Sequence, residues 1–305
     1  VDRSLYDHLN SYTGESGSDG VVRVPAANLN AAMLRLEQGA GSELELLKPV
    51  GRLLRAPRSA FRLVSGAAHS GEDMGIMRAV AGRKDEAGKE VVAAILRCFA
   101  VADAAQYEKL CDAFEQETAE IHAAERVEVQ KVPILRDRAY VHDRTSLVIF
   151  RVRDSEGHPL QDFDLELTGA KDDPDLLPEG FFKDRQRNQR AKHVLTYFFN
   201  HDLMVEGDAI EDPRESGEWL RKARPGVDRL GFRITPRPAA GFVHYSPCAF
   251  TADPKVLRAV IRPDETTLVD IVLRRLVHRE VFELERGDAR RGDFREVKPG
   301  DTLAP

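Results

Sequence analysis

The chain has 305 residues, 42% of them hydrophobic and 31% charged, with a formal net charge of −6. That length suits one large or two ordinary domains, and two are expected. No apolar run approaches the ~18 residues that a spanning helix needs, so the chain reads as soluble and globular, and its acidic balance argues against a nucleic-acid partner.

The chain starts at Val1 with neither an initiating Met nor a signal-peptide pattern, and residues 2–12 read as polar loop entering mid-domain. A fragment or processed chain is therefore expected. Residues 14–20 form a turn-rich loop, residues 21–24 could close a strand or cross the mouth of the sheet, and Pro25 limits any continuation. Residues 26–35 are rich in alanine and asparagine and suggest a short helical segment before the glycine-containing link at 38–42. Residues 44–47 and 61–64 have strand character and flank the basic stretch 52–58. The second run leads straight into Ser65-Gly66-Ala67-Ala68-His69.

From 90 to 122 the pattern turns helical. Val91, Ile95, Phe99, Ala102, Leu110 and Phe114 recur at spacings near three, four and seven, which predicts one long or two consecutive amphipathic helices. Cys98 and Cys111 lie 13 residues apart on that stretch, roughly 20 Å along one helix. That is too far for a disulfide. With Cys248 they make an odd number and show no metal-ligand spacing, so reduced structural thiols are expected. The composition shifts near residue 130, where a domain boundary is expected. Short strands are predicted at 146–153, 163–168, 194–200, 231–235, 241–245 and 267–277, with turn signals between them. The expected architecture is α/β plus all-β: an α/β part over 1–130, an antiparallel β-sandwich-like domain over 131–285, and a charged tail over 286–305.

Two residues stand out for chemistry. Asp19 opens a loop before an apolar run, and His69 follows another apolar run 50 residues later on a glycine-containing loop. In an α/β-hydrolase the acid and the histidine follow the nucleophile in that chain order, on strand-to-helix loops. The acid orients the imidazole and stabilises its protonated form, and the imidazole activates a hydroxyl. Taken singly, Asp19-Gly20 could be an ordinary turn and His69 a structural loop histidine. Glu72 or Asp73 could also partner His69, but they follow it immediately. A nucleophile elbow of the G-x-S-x-G form is absent, since the stretch around Ser16 has Ser18 where the last Gly should be and the stretch around Ser70 lacks both outer glycines, so residues 1–130 are expected to be the C-terminal part of an α/β-hydrolase domain. The nucleophile and its oxyanion loop are therefore expected upstream of Val1.

The stretches Gly17-Ser18-Asp19-Gly20-Val21-Val22-Arg23-Val24-Pro25-Ala26-Ala27-Asn28-Leu29-Asn30 and His69-Ser70-Gly71-Glu72-Asp73-Met74-Gly75-Ile76-Met77 resemble the acid and histidine motifs of PlaB-type bacterial phospholipases. The resemblance implies a membrane-associated phospholipase A and lysophospholipase A with an α/β-hydrolase half and a β-rich C-terminal half. It implies Asp19 as triad acid and His69 as triad base, with a phospholipid or lysophospholipid substrate. A peripheral membrane or cytoplasmic location in a bacterium, no cofactor and a possible homo-oligomer are also expected.

A second feature lies in the β-rich half. Phe181 and Phe182 precede Lys183, Arg185, Arg187, Arg190 and Lys192, with Asp184 as the one acid among them, and Tyr197-Phe198-Phe199 follows. Each basic side chain near an anionic lipid surface contributes about 1 kcal/mol, and aromatics can insert at the interface. The plainer alternative is a solvated basic loop with core aromatics on the next strand. No metal site is expected. No histidine pair has a ligand spacing, Asn28, His122 and His142 read as polar loop or surface residues, and Lys183 stands where a calcium loop beginning at Asp172 would need Glu. Two functions are therefore open: an ester hydrolase whose nucleophile lies upstream, and a non-catalytic membrane- or subunit-binding protein on a remnant hydrolase scaffold.

Overall fold

The computed structural model describes residues 18, 19, 21–69, 75, 86–131, 137–238 and 241–277. In chain order these form α1 (Val24–Ala27), β1 (Ala31–Gln38), β2 (Leu47–Pro49), β3 (Leu54–Arg55), α2 (Glu86–Phe99), α3 (Ala104–Ala124), β4 (Val127–Gln130) and β5 (Arg138–Val141). There follow β6 (Thr145–Asp154), β7 (Phe163–Thr168), β8 (Phe182–Arg187), β9 (Val194–Asn200), α4 (His201–Met204), β10 (Ile210–Glu211) and β11 (Trp219–Arg221). The last are β12 (Leu230–Pro236), β13 (Val243–His244), β14 (Cys248–Ala252), α5 (Pro254–Val260), β15 (Thr266–Leu273) and β16 (Leu276–Val277).

A seven-stranded mixed sheet dominates, in the order β2-β1-β15-β6-β9-β8, with β3 also paired to β1. At its centre β1, β15 and β6 run parallel, and β9 and β8 continue antiparallel. One row across it reads Leu34, Val269, Phe150 and Leu195, and the row beside it in the parallel strands reads Arg35, Asp270 and Arg151. The two-residue period of a strand puts these rows on opposite faces. The apolar face packs against the antiparallel sheet β14-β12-β7, and Phe150 is the hinge of that contact. Its ring meets Phe232 of β12 edge-on at 5.0 Å and Tyr197 of β9 at 5.9 Å. On the charged face, Asp270 is buried and accepts from Arg151 Nε at 2.8 Å and Arg153 Nη2 at 2.9 Å. Burial opposes ionisation of this carboxyl, but the two guanidiniums outweigh it and hold its pKa below the usual carboxylate range.

Several expectations fail in the first hundred residues. Residues 21–24 form no strand: Ser18 and Arg23 bridge around a turn, and α1 follows. Of the alanine-rich stretch expected to be helical, only Ala26 and Ala27 are, at the end of α1, and residues 31–35 enter β1 instead, because β15 offers a parallel partner from Ala31 to Glu37. Of residues 44–47, only Leu47 enters a strand, and 61–64 join none. The main sheet also crosses the boundary expected near residue 130, since β1 comes from before it and β15 and β6 from after it. No local pattern reports such a pairing.

Later elements agree more closely. The helical stretch is two helices, divided before Asp103, whose carboxylate accepts the Gln106 N–H at 2.8 Å and so caps α3. All three cysteines are free thiols; Cys111 and Cys248 are buried, and burial pushes the Cys248 thiol up to about 12. Predicted strands at 163–168 and 194–200 coincide with β7 and β9, whereas β8 arises where only a basic patch was expected. No helix among the described residues is long and apolar enough to cross a membrane. The expected tail at 286–305 lies outside the described residues.

Candidate active site

Asp19 organises its own loop. Its Oδ1 accepts the backbone N–H of Val21 at 3.0 Å and of Val22 at 2.7 Å, and its own N–H donates to the Val22 carbonyl at 3.2 Å. Asp favours this kind of turn because its short carboxylate reaches amides two and three residues ahead. With Oδ1 so used, Oδ2 faces His69, whose Nδ1 lies 3.0 Å away. A second bond fixes the approach: the His69 backbone N–H donates to the Asp19 carbonyl at 2.9 Å. The structure therefore brings together the two residues singled out 50 positions apart. Burial opposes the charge on Asp19, but the Val22 and Val21 amides and the His69 ring outweigh it and hold its pKa below the ordinary value. The side chains keep 38% and 49% of their surface, so the pair stands at the surface of this chain.

The segment leading to His69 is held by α3 rather than by a strand. The Ala60 N–H donates to Tyr107 Oη at 3.0 Å, and that hydroxyl donates to the Arg58 carbonyl at 3.2 Å. The Leu63 N–H donates to Thr118 Oγ1 at 3.1 Å. Arg58 pairs with Glu108, Asp112 and Glu115 on the same helix, Arg62 pairs with Glu117 and Glu90, and the Ser65 hydroxyl bonds Glu125. The sequence reading passed over these supports. Their signal was the run of acids along α3 facing the basic stretch 52–58.

The other candidates separate. Ser16, Ser70, Glu72 and Asp73 lie outside the described residues. His122, read as a surface residue, has Nε2 2.8 Å from Asp264 Oδ2, and buried Asn28 donates to the Asp264 carbonyl at 2.8 Å, so these three join α3 to the turn before β15. His142 pairs with Glu128 across the start of the β4–β5 hairpin. Asp172 accepts from Thr251 Oγ1 and Asp173 from the Asp175 N–H. The basic patch divides as well. Arg187 donates to the Phe163 carbonyl at 2.5 Å and lies over the Phe163 ring, so it is part of the packing. Arg185, Arg190 and Lys192 are exposed.

Neither a protein-family model nor a curated protein matches the chain. Solved structures do. Phospholipase PlaB from Legionella pneumophila, in complex with thio-NAD, matches with a TM-score of 0.75 and 34% identity over 96% of this chain. The chain is PlaB-like. A second PlaB structure from the same organism matches with a TM-score of 0.75 and 35% identity, again over 96% of this chain. The likeness to PlaB thus spans both sides of residue 130. In the other direction the chain spans about three fifths of PlaB, 60% and 58% in the two structures.

Proposed function

We propose that this chain carries the acid and the base of a PlaB-type phospholipase A and lysophospholipase A, with Asp19 as triad acid, His69 as triad base and the nucleophilic serine upstream of Val1. The observation that carries this reading is the Asp19–His69 pair, closed by a side-chain and a backbone bond at 3.0 and 2.9 Å in a chain that resembles a phospholipase. Asp19 fixes the Nδ1–H tautomer, which leaves Nε2 to take the serine proton as the oxygen attacks the acyl ester carbonyl. The imidazolium then gives that proton to the departing alcohol, and the same nitrogen activates the water that releases the fatty acid. Oxyanion donors belong to the upstream part. Because the main sheet draws β1 from the first 130 residues, the hydrolase portion on this reading is the Asp19 loop, the His69 segment and the two helices behind it. The two β layers form the sandwich-like half.

The test is fatty-acid release from vesicles containing phosphatidylcholine or lysophosphatidylcholine. Full-length protein is expected to turn over, and residues 1–305 alone are expected not to. Turnover by the 305-residue chain that is lost in Ser16→Ala or Ser70→Ala would place the nucleophile within this sequence and overturn the assignment.

On the same proposal, exposed Arg185, Arg190 and Lys192 form the surface through which this protein meets anionic lipid, and Lys183 adds its charge as the sequence reading has it. Attraction of that kind weakens as salt rises, because the Debye length falls from about 10 Å at 0.1 M to about 3 Å at 1 M. In co-sedimentation with anionic vesicles, a variant with Gln at these four positions should bind less than wild type at 0.1 M salt. Equal binding removes the patch from the mechanism. Arg187 is left unchanged because its loss would disturb the packing on Phe163.

A further inference from the structure

We infer that Arg23 is a positioning residue for Asp19, fixing the acid's loop to the edge of the main sheet; this rests on the reading of Asp19 as the triad acid. The bonds that shape the loop are short-range, from Val21 and Val22 to the Asp19 carboxylate, and they fix its form without fixing its place. Its place is set where the loop closes. Arg23 bridges back to Ser18, and the next turn, α1, is tied to β15 through the Thr266 hydroxyl, which donates to the Pro25 carbonyl at 2.8 Å.

The Arg23 side chain, only 10% exposed, then reaches β8 and β9. Its guanidinium lies 4.1 Å from the centre of the Phe198 ring, and Nη2 is 3.4 Å from Asp184 Oδ2. Asp184 comes within reach because β8 carries a bulge between Phe182 and Asp184, which sets Asp184 opposite Phe198. Gln186 Nε2 donates to the same Asp184 oxygen at 2.6 Å and holds it in place. A planar cation can stack on a ring and pair with a carboxylate at once, which the point charge of lysine does less well. Thus the single acid inside the basic patch has a job: it anchors Arg23, and Arg23 anchors the loop of Asp19. A displacement of about 1 Å at a catalytic group can cost up to two orders of magnitude in rate, so the anchor bears on turnover without touching substrate.

The experiment compares wild type, Arg23→Gln, Arg23→Lys, Asp184→Asn and Asp19→Asn in the full-length protein, reading kcat and KM on lysophospholipid and the titration of the Asp19 carboxyl by carbon NMR. Arg23→Gln should lower kcat by about tenfold or more with KM changed less than about twofold, and should raise the Asp19 titration midpoint as the Val21 and Val22 amides lose alignment. Arg23→Lys should fall between wild type and Arg23→Gln. Asp184→Asn should move both readings the same way, and it decides the matter if Arg23→Gln fails to fold. An unmoved Asp19 titration overturns the proposal whatever kcat does, and so does an unchanged kcat where Asp19→Asn is inactive. Full activity in Asp19→Asn instead removes the triad reading, and the titration alone then decides the role of Arg23.

Discussion

Asp19→Asn and His69→Ala are each expected to lower ester hydrolysis by the full-length protein by roughly three orders of magnitude or more. The Asn variant isolates the chemistry. Its amide oxygen can still accept from Val21 and Val22, which keeps the loop closed. Its NH2 group then faces His69 Nδ1, where the carboxylate had accepted at 3.0 Å. The ring is pushed to the opposite tautomer, with a proton on the nitrogen that must receive one. His69→Ala removes the base but leaves the backbone N–H that bonds the Asp19 carbonyl, so folding should survive. Both side chains are over a third exposed, and unfolding by urea should therefore differ little from wild type while turnover collapses. More than about a tenth of wild-type activity in either variant would count decisively against the pair, since triad members act as a unit.

The largest effect on stability is expected at Phe150→Ala, at about 3–5 kcal/mol in urea unfolding. Phe150 is 2% exposed. It lies in the row Leu34–Val269–Phe150–Leu195, and its ring contacts Tyr197 in its own sheet and Phe232 in the facing one. Truncation removes the transfer energy of the ring and leaves a void that two β layers cannot easily close, because each is held by its own ladder of hydrogen bonds. Ile149, the next residue along, points to the opposite face and is only partly buried, so Ile149→Ala serves as the control and should cost distinctly less. A Phe150→Ala loss no greater than the control's would mean that the layers are not held together through this ring.

The legibility of the chain differs between its parts for a physical reason. The strands β7 and β9 follow from alternation, because a strand with one buried face writes its period into its own residues: Phe163, Leu165 and Leu167 are buried, and Asp164 and Glu166 between them are exposed. The pair of helices is likewise legible from spacing. Yet α2 leaves Val92, Ile95, Leu96 and Phe99 exposed in this chain, so periodicity showed an amphipathic helix without showing what its apolar side meets. β1 was misread because Ala31, Ala32 and Met33 favour a helix locally, and β15, more than 230 residues away, overrides that preference. The bulged strand β8 was hidden for a related reason. Its charged residues stand at a sheet edge, where one side of the strand needs no apolar partner.

At the candidate site the sequence by itself determined the turn at Asp19 and singled out Asp19 and His69, in that order, as the pair proposed to be acid and base, since these depend on side-chain chemistry within a few residues and on motif. Only the tertiary structure decided that the two meet. Asp19 Oδ2 and His69 Nδ1 come within 3.0 Å because α3 carries the His69 segment on Tyr107 and Thr118, while Arg23 ties the Asp19 loop to Phe198 and Asp184. Those supports lie from tens of residues to more than a hundred away in the chain from what they hold, and the closure of such separations is fixed by packing of the whole core, which no local stretch encodes.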